Sequence, residues 1–348
     1  MAQTLPPSPD PARPRARYAP GRATAPRAPR PRFGALDALW TALLLGTFLA
    51  AWSHAHGGLG ALTPSAVMPT LTVGATYGLA WRAAGRAGGL AAGLLLATST
   101  AFVRASGSLL GDAFALLVTL ALLASVLEAP MLAGALAAGA AVARPDGALL
   151  GLLLLALTSV RAPRQALPSA GLFIGLAGAG WAIRIGLLHQ AFPLPLFHAQ
   201  TAHWAWALAP ASAFLLWFLL PFAGELTDPA RGARWAPVAL WLVAYGVAAS
   251  FVQFAAVNGT ALALMPALFA AMAGGVARLL PALAGDKPTL RYALAALAVG
   301  GLVLLRAQGE WHAAHPPNPA ATVLLRAPGE GSLPAKVTPP VGAAGAPR

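Results

Sequence analysis

The chain has no cysteine. Disulfides and thiolate metal sites are thereby excluded, and the cellular compartment has to be read from topology instead. Charge is scarce as well: 9% of the 348 residues are charged and 58% are hydrophobic, where an ordinary soluble domain carries about 25% charged residues. Such a chain is built for lipid. Lysine occurs only at Lys287 and Lys336 while alanine, arginine, glycine and proline abound, the mark of GC-rich bacterial coding. The net charge of +13 would suggest nucleic acid in a soluble protein, yet seven of the 23 basic residues lie in a Pro/Arg segment before Phe33. That segment reads as a disordered cytoplasmic arm, and no nucleic-acid partner is expected.

What is present is a succession of apolar stretches. Residues 34–306 suffice for eleven units of about 25 residues, each a membrane helix with a short connection. The expected spans are 35–53, 63–81, 87–103, 112–127, 130–143, 147–160, 167–187, 207–223, 236–254, 261–280 and 292–306, followed by a disordered Pro-rich tail over 307–348. The first apolar run follows a long basic segment and reads as an uncleaved span. The expected fold is all-α, a polytopic transmembrane bundle.

Orientation follows from the basic residues. With the N terminus in the cytoplasm, the seven arm arginines join Arg82, Arg86, Arg161, Arg164, Arg231, Arg234, Arg278, Lys287 and Arg291 inside, 16 of 23 basic residues. The reverse would oppose the bias that orients helices during insertion. Trp40, Trp81 and Trp235 then fall near inner ends, and Trp52, Trp204, Trp206 and Trp311 near outer ends. The C-terminal tail is outside, and a bacterial cytoplasmic membrane is the expected location.

One stretch decides the parity of the rest. Residues 130–160 read as a single helix would be about 46 Å long, with Arg144 and Asp146 at its middle at a cost of roughly 5 to 7 kcal/mol. A hairpin of two short helices, turning over Arg144 to Gly147, avoids this. Each arm is about 21 Å, so the turn sits sunken below the outer surface, where only protein or a wet cavity tolerates it.

Ionisable residues near the membrane are the default candidates for function. On the outer side these are Arg104, Asp112, Arg144, Asp146 and Arg184. Catalysis and plain structural pairing, Arg144 with Asp112 or Asp146, both account for the two carboxylates; a structural role fits Arg104 and Arg184 better. All seven histidines (His54, His56, His189, His198, His203, His312 and His315) fall in outer loops or the tail. They admit a divalent-metal site or a histidine base, but also the plain reading that histidine avoids hydrocarbon, and no tight ligand spacing is present. Small-residue spacings at Gly134 to Ala138 and Gly171 to Gly175 predict close helix packing.

Three segments, taken in order, resemble one family. Residues 99–123 contain a small-residue turn before Asp112, which opens a helix. Ala143-Arg144-Pro145-Asp146-Gly147-Ala148-Leu149-Leu150 resembles a Thr-Arg-Pro-Asp/Glu-Gly-Leu-Leu turn, and Phe192-Pro193-Leu194-Pro195-Leu196-Phe197-His198-Ala199-Gln200 resembles a Pro-x-Pro-Asn-Thr-x-x-Ala-Lys loop. All three are similar to segments of GT-C glycosyltransferases, in the bacterial mannosyl- and arabinofuranosyltransferase-like branch, over roughly residues 63 to 280. The resemblance implies a sugar transferase with a polyprenyl-phosphate donor and an extracytoplasmic acceptor. It implies Asp146, Asp112, His54 or His56 as catalytic base, Arg144 on the donor phosphate, and His198 and Gln200 at the substrate loop. No cofactor is required by it, though a divalent metal is compatible.

The chain departs from the family in its first outer loop, Ser53 to Leu62, which has no carboxylate where members usually keep the base. Gln200 stands where they tend to have lysine. Beside the enzyme stand two other readings: a degenerate membrane scaffold or partner subunit, and a transporter or flippase. No internal repeat supports the last.

Overall fold

A computed structural model describes residues 34–56, 64–189, 219–251 and 257–285. Among the described residues every regular element is helical: α1 (Ala35–Ala55), α2 (Val67–Thr98), α3 (Thr100–Ala105), α4 (Leu109–Val126), α5 (Pro130–Ala143), α6 (Gly147–Arg161), α7 (Pro163–Gly186), α8 (Leu219–Leu226), α9 (Pro229–Phe251) and α10 (Val257–Ala284). Four segments are long and apolar enough to cross a membrane: Asp37–Ala55, Leu109–Val126, Pro163–Gly186 and Leu262–Leu280. Helices α5 and α6 are apolar but shorter. The expected span over 292–306 and most of that over 207–223 lie outside the described residues.

Helix α2 is two arms folded back on each other. Gly85 has φ 85 and ψ −175, a backbone that side chains disfavour. Beyond it the chain reverses, because a Cβ on Gly93 would lie 3.4 Å from that of Tyr77, although a straight helix would separate them by about 24 Å. The expected spans 63–81 and 87–103 are therefore distinct arms. The second differs from expectation: it stops at Thr98, and Ser99 accepts a hydrogen bond from the Phe102 N–H at 3.3 Å to start α3.

The α5–α6 turn falls where the sequence places it. A Cβ on Gly147 would sit 2.4 Å from the carbonyl carbon of Ala140, so the two helices close directly on each other. Helix α5 is mostly alanine and glycine, nine of its 14 residues, which lets α4, α6 and α7 approach it closely. A Cβ on Gly134 would lie 3.1 Å from the Ser169 carbonyl oxygen, the close packing its spacing predicts. At Gly171 and Gly175 no described residue stands within 4 Å of where a Cβ would be, so the packing expected there has no described partner.

Reversal after reversal leaves the bundle with two chemically distinct ends. At one, Asp37 accepts from the Gly34 N–H (3.0 Å), the Arg86 guanidinium (2.8 Å) and the Tyr77 hydroxyl (3.3 Å), pinning α1 to the Gly85 turn. Near it Arg161 feels Glu128 and donates to the Ala233 carbonyl, and Glu225 holds Arg231 at 3.0 Å and Arg278 at 3.5 Å. The opposite end carries His56, Asp112, Arg144, Asp146 and Arg184. Between them the core is aromatic and aliphatic, with Phe48, Phe102, Phe114, Trp235, Trp241 and Tyr245 fully buried. The outside is apolar too: Val160 is 82% exposed and Leu167 81%, a surface compatible with lipid rather than water.

Candidate functional site

The two sequence-predicted carboxylates lie at the same end of the bundle, Asp112 in the first turn of α4 and Asp146 at the start of α6. Ser108 caps this helix, its hydroxyl accepting from the Gly111 N–H at 3.4 Å. Asp112 follows in the first turn, where the helix dipole favours negative charge. The preceding Gly107 has φ 120, a conformation left to glycine, and this aims its N–H at Asp112 Oδ2 at 2.8 Å. The other oxygen, Oδ1, is buried without a hydrogen-bond partner among the described residues.

His56 arrives at the same glycine from the end of α1. Its Nδ1 lies 3.0 Å from the Trp52 carbonyl, and the ring stacks on the Trp52 indole at 4.2 Å. A carbonyl only accepts, so Nδ1 carries the proton and a neutral ring presents a lone pair on Nε2. That atom is 3.7 Å from where a Gly107 side chain would begin, and Gly107 is the residue that donates its N–H to Asp112. His54, one turn face away, is exposed.

Asp146 is held quite differently. Arg144 caps α5 in an extended conformation and turns back, Nε donating to Oδ1 at 3.0 Å and Nη2 to Oδ2 at 2.5 Å. Tyr245, from α9, donates its hydroxyl to Oδ2 at 2.5 Å. The guanidinium lies over the Phe114 ring, 4.5 Å from its centroid. Both members of the pair are buried. Of the two pairings the sequence allows, Arg144 thus takes Asp146 and leaves Asp112 to the backbone. Its Nη1 makes no hydrogen bond with a described residue.

No known protein family, curated protein or solved structure matches this chain. Function has to be argued from the site itself.

Arg184 and Trp181 serve structure. From α7 they donate to the terminal carbonyls of α5, Trp181 Nε1 to Ala141 at 3.0 Å and Arg184 Nη1 to Val142 and Ala143. Those carbonyls have no partner within their own helix. Arg104 is exposed at the end of α3, on the Asp112 side. Among the described residues no group of three or more histidines and acids is placed to hold a metal. His198 and Gln200, and with them His203, His312 and His315, lie outside the described residues.

Tyr245 is the residue that sequence reasoning missed. A signal existed: a phenol inside an apolar helix needs a polar partner once buried. Nothing local named that partner, which is 99 residues distant.

Proposed function

We propose that the chain is an integral membrane glycosyltransferase of GT-C type. It takes a sugar from a polyprenyl-phosphate donor and transfers it to an acceptor outside the cytoplasm, from an eleven-span bundle in a bacterial cytoplasmic membrane with its N terminus inside. The observation that supports this best is the pairing of a buried, half-satisfied carboxylate, Asp112, with an imidazole whose Nε2 faces the same glycine. A carboxylate and a histidine so placed are suited to accept a proton.

In the proposed step the acceptor hydroxyl oxygen bonds to the anomeric carbon while the bond from that carbon to the phosphate oxygen breaks. The hydroxyl proton passes to Asp112 or His56, and the bond's electron pair leaves with the lipid phosphate. Arg144 Nη1 and Arg104 are the cations at this end able to meet the growing phosphate charge. Asp146 then positions Arg144 rather than acting as base, and His56 supplies from the first outer loop what a carboxylate supplies in the family.

The rival is a catalytically silent scaffold or partner subunit of the same fold, favoured by the tightly closed Arg144–Asp146–Tyr245 cluster. Mass spectrometry of lipid-linked sugars and envelope glycans in a deletion strain separates the two. Loss of one glycan, restored by the native chain and reduced about 10²- to 10⁴-fold by Asp112→Asn, is expected. Full restoration by both Asp112→Asn and His56→Gln would leave the scaffold standing.

A further inference from the structure

Helices α1, α2 and α4 enclose a groove of about 490 Å³ on the outer face of the bundle. Its α2 wall runs from Leu71 to Arg82, and its α4 wall from Leu116 to Leu127. Twelve residues on each wall, eleven helical rises, make it about 16 Å long, close to half of a hydrocarbon core of about 30 Å. Gly74 and Gly78 leave its floor without side chains, the nearest neighbours of a Cβ there being Leu45 and Leu123 at 3.7 and 3.6 Å. In lipid such a groove is filled by whatever the surrounding solvent offers, and that solvent is acyl chains.

One charged residue lines it. Arg82 is half-buried at the end where the Gly85 turn lies, and it makes no hydrogen bond or ion pair with any described residue. Its neighbour Arg86, by contrast, is bound by Asp37 at 2.8 Å. A guanidinium with no anion among the described residues, beside an indole at Trp81 and at the mouth of a groove about one leaflet long, has the chemistry of a lipid phosphate site.

We propose that this groove binds one anionic phospholipid of the bilayer, an acyl chain lying between Gly74 and Gly78 and the α4 leucines, its phosphate on Arg82. The site is at the opposite end of the bundle from Asp112 and does not depend on the reaction proposed there. It is a fixed lipid, held at the leaflet facing the basic end.

Native mass spectrometry tests this on the purified full chain, offered equal amounts of phosphatidylglycerol and phosphatidylcholine of matched chain length. The native chain should retain one phosphatidylglycerol in about tenfold preference. Arg82→Gln, which breaks no hydrogen bond or ion pair with a described residue, should bring the two lipids to parity. Gly74→Leu fills the floor with a better helix former and should reduce retention of both while the thermal transition is kept. Equal retention by the native chain, or an unchanged preference in Arg82→Gln, would overturn the proposal. So would displacement of the lipid by millimolar inorganic phosphate, which would mark a site for free anions.

Discussion

Asp112 and Asp146 are buried alike, each 1% exposed, at the same end of the bundle and each near the start of a helix. One has its oxygens filled by Arg144 and Tyr245; the other has a single backbone N–H and a bare oxygen. Depth alone therefore says little about what a buried acid does. The number of donors aimed at it separates a carboxylate that closes a structure from one with a lone pair left for chemistry, since leaving a buried acceptor unmade costs about 1 to 3 kcal/mol.

The comparison breaks if the two acids respond alike to substitution. The largest effect should come from Arg144→Ala, which strands the Asp146 charge and should destabilise the protein by about 3 to 5 kcal/mol, read as a lowered unfolding transition in detergent. Tyr245→Phe removes one hydrogen bond to a charged group and should lose about 2 kcal/mol in the same measurement, with Trp241 stacking kept. Replacing the pair together, Arg144→Met with Asp146→Leu, should recover most of the loss and fall within about 1 kcal/mol of the native chain. Smallest of all, Asp112→Asn removes a buried charge while keeping an acceptor for Gly107, and should raise stability by up to about 1 kcal/mol. A large loss of stability there would mean that Asp112, too, is chiefly structural.

Much of the architecture was legible because charge contrasts with hydrocarbon. The α5–α6 turn could be placed to the residue from Arg144 and Asp146, since no helix through the bilayer tolerates both at its centre. The Gly85 hairpin was legible for the same reason, bracketed by Arg82 and Arg86. The break at Ser99 was not, because Thr98 and Ser99 are small, weakly polar residues that barely alter the hydropathy of their run. At the candidate site the sequence marked His56, Asp112, Arg144 and Asp146 separately. The pairing of Arg144 with one of the two acids was expected, but which acid was not legible, since it depends on Gly107 aiming a backbone N–H at Asp112 and on α9 bringing Tyr245 across the bundle.

The Asp37–Arg86 clamp joins residues 49 apart in the chain, whereas Tyr245 reaches Asp146 across 99. At synthesis rates of 5–20 residues per second, the clamp's second half is made roughly 2 to 10 s after its first, and the tyrosine roughly 5 to 20 s after the aspartate. During that interval the Arg144–Asp146 pair must stand in the nascent bundle without its hydroxyl donor. The clamp can therefore close well before the tyrosine is made, although the Glu225–Arg278 pair at the clamp's own end is completed later still, and a ribosome paused before Tyr245 would leave the Arg144–Asp146 pair open to water or to whichever protein attends insertion.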